Sequence, residues 1–329
     1  MRARSVSWLA PGSGLQSDGP VRHQAMSIPR RLGLVLRSAD HWSGARQGPE
    51  PGARSQEPTS ATGHAAVALL IVVAVAIPGC APKRVSLPTA SGTPLADAGP
   101  ILSEAIGHCA ALRTLTAEIG LSGRAAGQRL RVKLIAGFAA PDGIRLEAVA
   151  PIGPPVFILA SGGEATTLLL PRDDRVLTNA PPSAILEALA GIRVEPAALR
   201  RLLAGCPPQD VDARDARTIG DEWVLARVGD RGTVYFRHLK GRWRLTAVRG
   251  TSLDAELGEG TGAQPAYVRL SSPHETNGAS FDLTLRLSQV EINVDVPGEA
   301  FTVRVPQNAV PITLDELRQS GPLRDRSAS

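Results

Sequence analysis

The sequence predicts a mainly β fold, a strongly curved antiparallel sheet or barrel of about eleven strands. Three observations carry that expectation. Apolar residues recur with a period of two through much of residues 129–296, whereas helical spacing is confined to short stretches. Turn signals such as Asp173-Asp174 and Gly205-Cys206-Pro207 divide the runs. The inward positions are mostly Leu, Ile, Val and Ala, which make a dry lining rather than a polar one.

The chain has 329 residues, but its N-terminal part does not read as folded. Residues 1–64 are rich in Arg, Gly, Pro, Ser and Gln without a sustained apolar period, a composition that cannot offset its ordering entropy. Residues 65–80, AAVALLIVVAVAIPGC, are apolar almost throughout. Ala65 to Ile77 has the length of a signal-peptide core and falls short of the ~20 residues needed to cross a bilayer. Ile77-Pro78-Gly79-Cys80 resembles a lipobox, at which bacteria lipidate a cysteine that becomes the new N-terminus. The alternatives are an uncleaved anchor and a plain signal peptide. A basic segment normally precedes such a core, yet the nearest Arg is Arg54, with Met26 and Met1 far upstream. Translation is therefore expected to start nearer residue 60.

Removing residues 1–79 changes the charge argument. That segment holds 8 Lys+Arg and 4 Asp+Glu, so 28 and 27 remain and the net charge falls from +5 to +1. The basic pI gives no support for a nucleic-acid surface, and 3% aromatics provide no base-stacking platform. Of the three cysteines, Cys80 would carry lipid, leaving Cys109 and Cys206. In an exported protein such a pair is expected to be joined, two separate buried thiols being the other reading.

Residues 81–94 are a short polar tether, and residues 95–318 are the expected domain. Leu95, Ala98, Leu102, Ala105, Ile106, Cys109 and Leu112 step by three and four, one face of an amphipathic helix. Strands follow: Leu130 to Phe138 and Ile144 to Ala150 alternate apolar with charged residues, and Val156–Ala160 and Thr166–Leu170 are apolar on both sides. Pro182-Ser183 opens a helix with Ile185, Ala188, Leu189 and Ile192 in step, ended by Gly191. Pro196 opens another with Leu199, Leu202 and Leu203. Strands resume over Trp223–Val228, Thr233–His238, Arg242–Arg249, Tyr267–Leu270 and Phe281–Leu287. A slip of apolar phase at Ser288-Gln289 predicts a bulge or tight turn. Residues 319–329 are a polar, loose tail.

Between two apolar strands stands Pro151-Ile152-Gly153, followed by Pro154-Pro155, whose missing donors prevent a regular two-residue hairpin. A protruding loop with a bare isoleucine at its tip is expected.

Two motifs carry a resemblance. Ala150-Pro151-Ile152-Gly153 and the apolar strand after it look like the Pro-Leu-Gly loop of the outer-membrane lipoprotein acceptor LolB. Gly191-Ile192-Arg193-Val194-Glu195-Pro196, through Leu199-Arg200, Leu203, Gly205 and Pro207, looks like that family's helix-turn-helix segment. Over roughly residues 80–305 the order of elements is similar to the LolA/LolB lipoprotein carrier superfamily, and most like its LolB branch. Arg201-Leu202 stand where the family has an aromatic, and Cys109 and Cys206 have no counterpart in the pattern. The resemblance implies an unclosed β-barrel with a helical lid over a cavity for acyl chains. The implied lining is Leu134, Phe138, Leu146, Val156, Ile158 and Leu168, with Ile185, Leu189, Leu199 and Leu203 from the lid. It also implies that Ile152 faces the membrane, that a lipid anchor at Cys80 holds the chain on the periplasmic face of the outer membrane, and that a periplasmic carrier of the LolA type is a partner. No cofactor, metal or nucleic acid is implied.

Other chemistry has little in the sequence to stand on. His108, His238 and His274 lack metal-ligand spacing, and His108 beside Cys109 on a helix would not face it. Asp210, Asp212 and Asp215 with Asp173-Asp174 could bind Ca²⁺, but Arg214 and Arg217 interleaved with them suit a solvated strand face. No nucleophile elbow, phosphate loop or paired catalytic carboxylates occur, so the expectation is a non-enzyme. The competing reading is an anchored scaffold with a filled core that binds a protein partner.

Overall fold

The computed structural model describes residues 84–163, 165–260, 262–273, 280–321 and 323. The apolar run 65–80, Cys80 and the segment before it lie outside the described residues, as do His274 and most of the tail.

In chain order, a two-residue strand β1 (Thr93–Pro94) leads to helix α1 (Gly99–Ile106) and a 3-10 turn (Gly107–Ala111). Six strands follow: β2 (Thr114–Ala125), β3 (Gln128–Ala139), β4 (Gly143–Val149), β5 (Ile158–Ser161), β6 (Thr166–Leu170) and β7 (Arg175–Thr178). Helices α2 (Pro182–Ala190) and α3 (Pro196–Leu203) interrupt them. The second group is β8 (Val211–Ile219), β9 (Trp223–Val228), β10 (Gly232–Leu239), β11 (Arg242–Arg249), β12 (Asp254–Gly258), β13 (Tyr267–Ser271) and β14 (Phe281–Ile292). A two-residue strand β15 (Val310–Pro311) and helix α4 (Leu314–Ser320) end the described domain.

All fifteen strands form one sheet in the order β1-β8-β9-β10-β11-β12-β13-β14-β2-β3-β4-β5-β6-β7-β15. Every neighbouring pair is antiparallel except β7 with β15. The two ends of the order do not pair, so this is the unclosed, strongly curved sheet that the alternation and the resemblance called for. It has more strands than the roughly eleven expected, and β2, β8, β12 and the two short edge strands were not among those read from the alternation.

Local chemistry accounts for the details. The single helix expected from Leu95 to Leu112 is divided. Pro100 takes the start of α1, where its missing N–H is harmless, and Leu95 to Ala98 lie outside the helix. The Leu95 amide accordingly donates to the Ala216 carbonyl of β8. Gly191 ends α2 at φ +69°, a left-handed position that suits glycine. In β14 the register with β2 shifts between Ser288 and Glu291, which is the bulge predicted from the phase slip. The strand ends at Ile292, so Val294 and Val296 are not part of it.

Antiparallel order divides the connections between two rims. One rim carries the turns 126–127, 150–157, 171–174, 229–231 and 250–253, and the other carries 140–142, 162–165, 220–222 and 240–241. The inward face of the sheet, with Leu115, Ile119, Phe138, Ile144, Leu159, Leu168, Val234, Phe236, Val268 and Leu283 all fully buried, packs with Ile185, Leu202 and Leu203 of the lid into one core.

Candidate functional site

The two helices lie over the concave face as a lid. α3 packs on β3, β4 and β13, and α2 packs against α4. Between lid and sheet is a cavity of about 60 Å³ whose lining residues are all apolar. The sheet contributes Leu121, Leu134, Leu146, Phe157, Leu270 and Leu285, and the lid segment contributes Leu186, Leu189, Ala190, Ile192, Val194 and Leu199, with Leu323 from the C-terminal end. Such a space offers a solute dispersion and dehydration but no hydrogen bond.

Val194, in the α2–α3 connection, lines a second space as well. This is an open cleft of about 910 Å³ on the first rim, bordered by Ala198 and Leu202 of α3, the β9–β10 turn and the β11–β12 connection. Its walls mix Val228, Val248 and Leu253 with Arg193, Glu195, Asp230 and Arg231. The apolar cavity therefore shares the wall residue Val194 with a large solvent-open mouth.

The lid is fastened unevenly. At the second rim Cys206 is bonded to Cys109 of the 3-10 turn, with Cα atoms 5.8 Å apart. The buried Arg200 side chain donates to the Pro141 carbonyl at 3.0 Å, and Arg201 Nε donates to the Pro207 carbonyl at 2.6 Å. Burial lowers the pKa of Arg200, against the opposing field of Asp142. At the first rim the ion pair of the α2–α3 connection is the half-exposed Arg193–Glu187 contact at 3.6 Å, worth little. The covalent and buried polar fastenings of the lid named here are thus at the second rim.

The structure places the expected lining residues in three ways. Leu134, Leu146, Leu189 and Leu199 line the cavity, and Phe138, Leu168, Ile185 and Leu203 are buried in the core around it. Ile158 is on the other face, which corrects the expected phase of that strand, while the half-buried Val156 packs against the core. Ile158 pairs with the outward Glu147, while Phe157 and Leu159 point inward. The strand is apolar on both sides, so periodicity could not choose. The choice is made where Val156 N–H donates to the Ala148 carbonyl and Ala148 N–H donates to the Phe157 carbonyl, two residues meeting one.

Pro151-Ile152-Gly153 form an exposed loop on the first rim, with Ile152 89% accessible and Gly153 at φ +84°. Arg172, in the β6–β7 turn, donates to the Ile152 carbonyl at 2.9 Å and to the Pro154 carbonyl at 3.1 Å. It stiffens the loop while leaving the isoleucine side chain bare. Nothing in the sequence marked Arg172, whose partner is 20 residues away in the chain.

His108 departs from expectation. The tight 3-10 turn carries its Nε2 to 3.6 Å from both Cys109 Sγ and Cys206 Sγ, whereas α-helical neighbours would diverge. The three side chains form a compact donor cluster, but the sulfurs are bonded to one another and offer no thiolate. The acidic residues weighed for Ca²⁺ are dispersed: Asp212 pairs with Arg214, Asp215 with Arg227 and Asp210 with Arg201, while Asp173-Asp174 occupy another turn. The hydrogen bonds from Arg214 lower the Asp212 pKa to about 2.

No family model matches the sequence, and no curated protein matches it. Solved structures similar in fold do exist. One is a LolA superfamily protein. It comes from Nitrosomonas europaea and is 11% identical, with a TM-score of 0.43 over 64% of this chain and 99% of that one. A DUF1329 family protein from Desulfovibrio piger, also 11% identical, has a TM-score of 0.37 over 60% and 92%. An uncharacterized conserved protein from Thermus thermophilus, 12% identical, has a TM-score of 0.30 over 65% and 98%.

Proposed function

We propose that this chain is a lipid-anchored carrier that takes acyl chains between its curved sheet and its two-helix lid and passes lipid or lipoprotein to the outer membrane from the periplasmic side. The observation that carries the proposal is the all-apolar cavity, which shares the wall residue Val194 with the open mouth. At about 60 Å³ it is far below the ~300–1,000 Å³ of a ligand pocket, so it corresponds to the unloaded state. Loading swings the mouth end of the lid outward about its fastened end and places methylenes against leucines, at ~0.8 kcal/mol for each CH₂ removed from water. Ile152, on the same rim as the mouth, is the membrane-facing residue, and Cys80 carries the anchor. A periplasmic carrier of the LolA type is the proposed donor, and no covalent chemistry is assigned.

The small volume also favours a second reading, an anchored scaffold with a filled core. Mass spectrometry of a soluble Cys80→Ala form separates the two. Co-purified acyl lipid, lost when Leu189→Trp fills the cavity, supports the carrier. Lipid-free protein that takes up no acyl chain from detergent or vesicles rejects it.

A further inference from the structure

The outer face of β14, β2 and β3 carries a charge pattern that folding does not explain. Arg124 and Arg129 stand directly opposite each other in the β2–β3 register. Like charges so placed are destabilising, since Cβ atoms of opposed residues lie only ~5 Å apart. Arg131 is opposite Ser122, and Gly120 lies between Lys133 on one side and Arg286 on the other. All five cations are exposed. Lys133 is paired with Glu118 at 2.7 Å. Among the described residues no carboxylate pairs with Arg124, Arg129, Arg131 or Arg286. Of the other acids on this face, Asp282 is held by Arg269 and Arg84, and Glu291, toward the second rim, accepts from the Thr116 hydroxyl. Gly120, Ser122 and Thr284 between the cations are small, so no bulky side chain stands among them, and Arg124 donates to the Gly127 carbonyl at 3.4 Å.

Position adds the second argument. The Arg124–Arg129 end of this hairpin is on the rim that carries the Ile152 loop and Arg172. The tether reaches the sheet there too, because Arg84 meets Asp282 at 3.5 Å and Asp282 is opposite Arg124. Cys80 is four residues before Arg84, and four residues span at most ~14 Å.

We propose that this basic face of the β2–β3 hairpin docks on the anionic headgroups of a phospholipid bilayer, guanidinium groups bonding to lipid phosphates while Ile152 enters the interface. The choice of a bilayer as partner rests on the anchored-carrier reading, whereas the cationic face stands without it. Each basic residue near an anionic membrane contributes ~1 kcal/mol, a factor of about five.

The test uses the full chain with Cys80→Ala, so that an acyl anchor does not dominate, in co-sedimentation with vesicles. The vesicles are phosphatidylcholine alone or phosphatidylcholine mixed with phosphatidylglycerol. R129S/R131S is expected to weaken partitioning onto the anionic vesicles about 30-fold, and Arg286→Ser on a separate strand about fivefold. Both should leave binding to phosphatidylcholine unchanged. The charge-matched R214S/R227S, on β8 and β9, should keep anionic binding. An unchanged R129S/R131S, or an equal loss in R214S/R227S, overturns the proposal. Acyl lipid retained by the same samples is measured in parallel, so a failed docking surface and a failed carrier give different results.

Discussion

Breaking the Cys109–Cys206 bond should lower the stability of the domain by several kcal/mol and loosen one particular end of the lid. The two cysteines are 97 residues apart in the chain, so their bond removes a large loop from the unfolded ensemble. The chain-entropy relation gives ~4.7 kcal/mol for a loop of about 100 residues. With a urea dependence of ~2.5 kcal/mol/M, the Cys109→Ala/Cys206→Ala protein should unfold at a urea concentration lower by about 2 M. Both side chains are buried, and alanine fits either position without a clash, so strain in the variant does not inflate the shift. Hydrogen exchange locates the effect. Amides of α3 and residues 204–206 should lose protection more than those of β2 and β3, because Cys206 fastens the end of α3 to the 3-10 turn. A midpoint shift below ~0.5 M, in a parent confirmed to be disulfide-bonded, would refute the reasoning.

Three further outcomes are expected. Ile152→Glu should leave the melting temperature within about 1 °C, because an 89% exposed side chain buries nothing, yet reduce transfer of lipid cargo to vesicles severalfold; unimpaired transfer would remove the loop from the mechanism. Ala126→Asn, at φ +48° in the two-residue turn of the β2–β3 hairpin, should stabilise by about 1 kcal/mol in chemical denaturation, since Asn-Gly suits this turn and alanine does not; a neutral or negative effect would show that the turn is not strained. Acid should destabilise in a defined window. The hydrogen bond from Arg269 lowers the Asp282 pKa, and the backbone and hydroxyl of Thr313 lower that of Glu316. Carboxyls with depressed folded values favour folding above the ordinary carboxylate range, and this is lost as pH falls through the folded values. The melting temperature should therefore hold down to about pH 5 and fall below about pH 4, and a flat profile to about pH 3 would contradict the assignment.

How far the sequence went depended on what each segment hid. Trp223–Val228 and Arg242–Arg249 are strands with the bounds that alternation set, each ended by a glycine-containing connection on both sides. β2 escaped notice because Gly120, Ser122 and Gly123 dilute its apolar period, although it stands next to the middle strand of the sheet. Gly123 is there for packing: at φ +145° any Cβ would stand 2.1 Å from the Asp282 carbonyl oxygen of β14. β8 looked like a solvated charge run since Asp212, Arg214, Asp215 and Arg217 lie along it, and its register with β9 shifts between Asp212 and Arg217. The lid and the exposed Ile152 were legible from Gly, Pro and leucine spacing. Arg172 beneath the loop, the opposition of Arg124 and Arg129, and the inward turn of Phe157 were not, since each depends on which residues long-range pairing places together.

An open sheet has two rows of backbone groups that invite another strand. Here each margin ends in a two-residue strand that contains proline, Thr93-Pro94 beside β8 and Val310-Pro311 beside β7. Proline has no amide hydrogen to give an incoming chain, so each short strand both satisfies the margin and stops its growth. The segments before and after the barrel thus act as stoppers against templated stacking of one copy on the next. Deleting residues 93–94 or 310–311 should bare a margin and promote edge-to-edge association, read as a rise in mass by light scattering.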